Sequence, residues 1–547
     1  MKKLNNILLV TIVLLIMSCT VKEKADLIIH NAMVYTVDEA FTNANCVVIA
    51  DGKILALGGN ELLDDYDASQ VLDAEGAFVY PGFYDAHCHF LSYGLSKLQR
   101  ADLVGTNSFN EVVERVREHA SKTKSEWVQG RGWDQNDWEV KEFPSRARLD
   151  ELFPDRPVIL TRIDGHAALA NGEALKRAGI DADTKVVGGD VLLLDGEPSG
   201  ILIDNAIELV SEQIPENDAA LNAAALIKAQ EDCFAVGLTS VMDAGLPVKE
   251  IMLMDSLNRG GSLKIRINAM LTPTDSTYLE FMEKGQYKTD RLHVNSVKLY
   301  ADGALGSRGA SMIEAYSDDP QNYGLIMYPE EYYREVIENA LEHNYQVNTH
   351  AIGDAGNRFI LDLYAEYLGG PNDRRWRVEH AQIVHPDDFE KFGEYSIIPS
   401  IQSTHCTSDM YWADERVGPE RIKGAYAWQK LLAQNGWLPN GTDFPIEHIS
   451  PLRTYYAAVS RKDLEGYPED GFQFDEALSR EEALRSVTIW AAKGAFEEDE
   501  KGSLETGKLA DIVILEKDIM TIPEEEIADT KVIYTIVGGE VVYKFPL

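Results

Sequence analysis

The stretch Pro81-Gly82-Phe83-Tyr84-Asp85-Ala86-His87-Cys88-His89 decides how the chain is read, because it follows the apolar run Ala77 to Tyr80 and closes on two His one residue apart. Side chains of an extended segment alternate faces, so His87 and His89 leave the backbone on one side and Cys88 on the other, where it reads as structural. A His-x-His alone is moderately specific, since paired polar His also occur in loops. Working outward, short apolar runs recur between longer helical segments: Leu238 to Met242, Ile265 to Ala269, Ser296 to Tyr300, Gln346 to Thr349, Trp376 to Glu379, Ile397 to Ile401 and Leu438 to Gly441. Strands alternating with helices argue for βα units and a parallel sheet. With Ala77 to Tyr80 there are eight such runs, which predicts an α/β fold built on a (β/α)8 TIM barrel.

Both flanks read differently. Asp26 to Gly59 and Asp511 to Tyr543 carry short β-rich runs broken by turn pairs such as Asp51-Gly52 and Gly538-Gly539. Neither end has enough strands to bury a core, so residues 19–80 and 496–547 are expected to pair into one small β-sandwich around a barrel of residues 81–495. The gap between the first two barrel runs is too long for one helix. It holds the dense run Trp127 to Trp138 and the strand-like Pro157-Val158-Ile159-Leu160, so an inserted subdomain over about 105–230 is expected, covering the barrel mouth.

The chemistry sits at the run ends. His350, His380, Lys298 and Asp443 each close or follow one of these runs. Barrel strands present their C-terminal ends at one mouth, so these side chains and His87 and His89 are expected to share one site. A single His is more often a hydrogen-bonded core or loop residue; six such groups at successive strand ends are not explained that way. Imidazoles and a carboxylate suit Zn²⁺ or a similar first-row ion, which makes bound water nucleophilic near neutral pH. A Lys ammonium has no free lone pair, so Lys298 is carboxylated, deprotonated by the metal, or a nearby donor.

On these motifs, with Lys298 to Gly306 plus Arg308, Asn348 to Asp354, Val378 to Gln382, Gly441 to Pro445 and Gly507 to Val513, the chain resembles the amidohydrolase superfamily, within it the YtcJ-like hydrolases related to N-substituted formamide deformylases. The resemblance spans nearly the full length. It implies one or two divalent metals, zinc foremost, on His87, His89, His350 and His380, a carboxylated Lys298 bridging two of them, and Asp443 as ligand and general base. It implies hydrolysis of a non-peptide C–N bond, amide or formamide-like, in a small-molecule substrate. A lactonase or esterase on the same centre, and a non-catalytic surface binding lipoprotein, stay open as alternatives. Trp133, Asp164, His166, Arg308 and His405 are candidate substrate contacts, with Asp134 and Asp409 beside them; Arg308 could equally pair with Glu314 or Asp302, and for Trp133 packing in the core of the insert is the favoured reading. Glu379 and Gln382, flanking His380, read as supporting or packing residues.

The net charge of −39, from 90 Asp and Glu against 51 Lys and Arg, excludes a nucleic-acid surface, which needs clustered cations. A basic start at Lys2 and Lys3, an apolar run from Ile7 to Met17 too short to span a bilayer, and Ser18-Cys19 resemble a bacterial lipoprotein signal, residues 1–18, with Cys19 as the lipidation site. That places the protein in the cell envelope, held to the membrane by its anchor only, and leaves a homodimer open. The other Cys, at 46, 88, 233 and 406, are too scattered for a disulfide framework.

Overall fold

A computed structural model describes residues 22–546; the signal segment and Cys19 lie outside the described residues. Seven parallel strands run in the order Ile398–Ser400, Arg377–His380, Gln346–Ala351, Leu292–Tyr300, Arg266–Leu271, Leu238–Leu246 and Phe83–Cys88. Every residue of Phe83–Cys88, Arg266–Leu271, Gln346–Ala351 and Arg377–His380 is buried. Covered on both faces, these strands still carry buried polar side chains, among them Asp85, Asn268, Asn348 and Glu379.

Two of the expected barrel strands differ. Phe78–Pro81 is not a barrel strand: it lies between Ile512–Leu515 and Met33–Tyr35 in a sheet built from both chain ends, and the barrel strand is the next segment, Phe83–Cys88. Gly82 forms the joint, where a Cβ would come within 2.3 Å of the Thr239 side chain. The run Leu438 to Gly441 forms no regular strand, because Pro439 has no N–H to donate. Its neighbours still close the ring: Asn440 makes a parallel bridge to Ile401, Gly441 N–H donates to Ile401 O at 2.9 Å, and Ala86 N–H to Asn440 O at 3.3 Å. The barrel is nearly closed, its seam carried by hydrogen bonds of an irregular segment.

The terminal segments form two sheets. One orders Lys53–Gly58, Cys46–Ala50, Glu23–His30 and Tyr66–Asp73; the other runs from Glu540–Lys544 through Val532–Val537 and Ile512–Leu515 to Phe78–Pro81, Met33–Tyr35 and Asn43–Ala44. Leu27, Ile29, Val47 and Ile49 of the first share an apolar core with Val34, Val79, Ile512, Ile514 and Ile536 of the second. Between the first two barrel strands lies a six-stranded sheet that runs from Ala101 to Asp204. The helix Ala219–Ala235 packs instead against Phe90–Gln99, so tightly that a Cβ on Gly94 would fall 2.0 Å from Ala225 O.

Candidate metal centre

Strand ends bring His87, His89, Lys298, His350, His380 and Asp443 to one cavity of about 650 Å³. His87 Nε2 lies 3.1 Å from Lys298 Nζ and 3.6 Å from Asp443 Oδ1, and His89 Nε2 lies 3.3 Å from the same carboxylate oxygen. The His380 ring sits 4.5 Å from that of His350 and 5.1 Å from that of His87, centre to centre. His87, His89 and Asp443 form one group able to hold an ion, and His380, His405 and Asp443 a second, with Asp443 shared.

The backbone is bent to deliver these side chains. His380, Ala381 and Asp443 take left-handed φ values of 71°, 42° and 60°. That costs a residue with a side chain about 1–3 kcal/mol and persists where surrounding contacts fix it. At Asp443 the fixing is visible: its N–H donates to His87 O at 2.7 Å, and the buried Asp85 carboxylate accepts from Thr442 N at 3.0 Å and Thr442 Oγ1 at 2.7 Å.

Burial, and next the Lys298 charge, hold His87 down to about 4. Burial pushes His350 and His380 well below the usual imidazole range, helped by the neighbouring imidazoles. These three rings are therefore neutral, the form that ligates metal. Burial would raise the Asp443 carboxyl, but its contacts with His405 and His89 hold it well below the usual carboxylate range. His380 Nδ1 and Asp443 Oδ1 are buried without a hydrogen-bond partner. Buried polar atoms are normally satisfied, and an orphaned imidazole nitrogen beside an orphaned carboxylate oxygen fits a divalent cation. Lys298 is buried, makes no ion pair among the described residues, and is lowered to about 8 by burial.

Asp164, His166 and His405 line the cavity, as do Asp134 and Asp409. Trp133 and Arg308 do not. Trp133 is buried in the insert, its Nε1 donating to Leu160 O at 2.7 Å beside Trp138, because an indole placed in a core satisfies its one donor on backbone. Arg308 pairs with Asp318 at 2.8 Å, not with Glu314 or Asp302, since the Asp302 carboxylate already accepts from the N–H groups of Ser311, Ile352 and Gly353. Glu379 holds His87 Nδ1 at 2.6 Å and also binds Arg377, which keeps its carboxyl down near about 2 despite burial. Glu447 (3.1 Å from His405 Nδ1) and Asp204 (2.6 Å from His166 Nδ1) were not legible as site residues, because nothing in their local sequence marks them. Against burial, hydrogen bonds to Asp443 and Glu447 push His405 up to about 10.

A parallel-strand barrel with neutral imidazoles and an ionised aspartate gathered in a cavity at its strand ends defines the class of metal-dependent barrel hydrolases. The profile of the amidohydrolase family matches residues 70–543, and the chain belongs to that family. It is 35% identical to Protein LONG AFTER FAR-RED 3 of Arabidopsis thaliana, over 95% of this chain and 92% of that protein. It is 30% identical to the putative amidohydrolase YtcJ of Bacillus subtilis, over 94% and 99% of the two chains. Identity to the N-substituted formamide deformylase of Arthrobacter pascens is 27%, over 95% and 98%. Among solved structures, an uncharacterized metal-dependent hydrolase from Pyrococcus horikoshii superposes with a TM-score of 0.74 at 29% identity, covering 91% of this chain and 99% of that one. The protein is therefore a hydrolase that uses a divalent metal.

Proposed function

We propose that the protein hydrolyses a non-peptide C–N bond, an amide or formamide-like bond in a small molecule. The observation that carries this is the single cavity shared by His87, His89, His350, His380, Lys298 and Asp443. The likeness to a relative named N-substituted formamide deformylase supports the bond type. One or two divalent ions, zinc foremost, would sit on the four imidazoles and Asp443, where the metal supplies Lewis acidity and lowers the pKa of water to about 7.

The protein's own groups do the rest. Asp443, ionised and with Oδ1 free, takes the proton from the attacking water and delivers it to the leaving nitrogen, which needs hydrogen-bond reach to both. His405, bound to Asp443 Oδ2 at 3.3 Å and to Glu447, holds that carboxylate in place. Glu379 fixes the tautomer of His87, so that Nε2 carries the lone pair. Carboxylation of Lys298 turns a buried cation without an acidic partner into an anionic oxygen ligand. His166, oriented by Asp204, faces the cavity where a substrate carbonyl would lie.

Purified protein is expected to contain one to two equivalents of divalent metal. Chelation should abolish hydrolysis of N-formyl or N-acyl amines and lower Tm, because ligand loss removes binding free energy from the folded state. Metal-free protein after expression in excess zinc, or turnover of lactones and not of amides, would sink this reading. The protein acts at the cell envelope, tethered through Cys19; Cys19→Ala should move it from the membrane to the soluble fraction, and unchanged fractionation refutes the tether.

A further inference from the structure

Arg131 is 8% exposed and lines the cavity. Its Nη1 donates to Arg162 O at 3.3 Å and Ile163 O at 2.9 Å, while Nε and Nη2 have no acceptor among the described residues. Arg100, on the same cavity wall, donates only a 3.4 Å bond to Ser96 Oγ. Neither guanidinium makes an ion pair among the described residues, and nor do Lys97 and Arg453, which also line the cavity. Burial, and next the charge of Arg100, push Arg131 down to about 10.

Unpaired cations on a cavity wall are notable in a chain of net charge −39. None of the acids lining the same cavity forms an ion pair with them among the described residues, although the Asp443 and Asp164 charges act on Arg131, and Asp102, its neighbour across the sheet, accepts from Val104 N. Asp134 and Asp164 bind Arg162, Asp409 binds Tyr426 and Gln382, and Glu447 binds His405 and Ser408. Asp137, beside Asp134, is pushed up to about 6 by burial. A largely buried charge such as that of Arg131 is costly without an ion-pair partner, and an anion entering beside it offsets that cost. Guanidinium donors form a planar fork that matches a carboxylate.

Resting on the amide-hydrolase reading, we infer that Arg131 and Arg100 bind a carboxylate of the substrate, so that the substrate class is N-acyl or N-formyl amino acids rather than neutral amides. Arg131, Arg100 and Asp443 line the same cavity of about 650 Å³, a space that one small molecule can span.

The test compares N-formylphenylalanine with N-formyl-2-phenylethylamine, which differ only by the carboxylate, on the full-length metal-loaded protein. Wild type should favour the first by at least about tenfold in kcat/KM, and Arg131→Gln or Arg100→Gln should bring that ratio close to one. Calorimetric titration of 3-phenylpropionate against 3-phenylpropan-1-ol supplies a readout without turnover. Wild type should prefer the carboxylate, and both variants should lose that preference with metal content unchanged. Arg100→Gln, which removes one long hydrogen bond to Ser96 Oγ, keeps the test alive if Arg131→Gln does not fold. Amide turnover with no carboxylate preference, or a preference that survives both substitutions, overturns the carboxylate site and leaves the amide reading standing. Arginine-dependent carboxylate binding without turnover of any amide overturns the amide reading and leaves the carboxylate site.

Discussion

Glu379 shows how much a single side chain carries in this centre. One oxygen is bound to His87 and the other to Arg377, all three fully buried. Glu379→Gln keeps the shape but removes the charge. It should weaken metal affinity about 10–100-fold through His87 and cost about 3–5 kcal/mol of stability, because Arg377 is left as an unpaired buried cation. Metal titration and urea unfolding measure the two effects; a variant with unchanged metal affinity would remove Glu379 from the support of His87. His350→Ala, by contrast, deletes a neutral ring. It should abolish activity with the circular dichroism spectrum retained, and a fully active His350→Ala would take that residue off the ligand set.

The segment after Pro439 is the element on which the site turns. It supplies the eighth position of the barrel without strand geometry, and a Cβ on Gly441 would lie 2.4 Å from His87 N. Backbone cannot yield as a flexible side chain can, so Gly441→Ala should destabilise the protein by about 1–3 kcal/mol and displace Asp443 from the imidazoles. Unfolding midpoint and metal content report both; normal metal content would mean the close approach is absorbed elsewhere. At this scale the sequence was only partly legible. Periodicity marked where apolar runs fall, but Phe78–Pro81 and Phe83–Cys88 follow one another with only Gly82 between them, and only pairing partners separate a terminal-sheet strand from a barrel strand. Leu438 to Gly441 reads as a barrel position only through its place in the series, since Pro439, Asn440 and Gly441 are turn residues and Pro439 lacks the N–H a ladder needs.

Across the molecule, Arg266 of the barrel grips Asp511 of the terminal sheet through two hydrogen bonds, of 2.6 and 3.0 Å, and Asp511 also accepts from Gly538 N at 2.8 Å. Burial would raise the Asp511 carboxyl, but Arg266 holds it below its ordinary value. A depressed carboxylate stabilises the fold above its unfolded pKa of about 3.9, and that stabilisation is lost as pH falls through the lower folded value. Asp511→Asn should therefore be less stable than wild type by about 3–5 kcal/mol near pH 7, with the gap narrowing below about pH 4. Urea unfolding across that range checks it, and a gap independent of pH would refute the linkage.

The sequence by itself determined the barrel class, the pairing of the two chain ends, and the placing of His87, His89, Lys298, His350, His380 and Asp443 in one mouth, because each follows from local periodicity joined to a rule of topology. Only the tertiary structure decided which charges are answered and which are not. Arg308 and Arg162 are neutralised by carboxylates from distant or folded-back segments, Trp133 is taken by the core, and Arg131 and Arg100 are left facing the cavity. Which charges meet depends on how the chain folds back, over 2 residues to Asp164, 10 to Asp318 and 28 to Asp134, and the residue pattern alone does not encode those approaches.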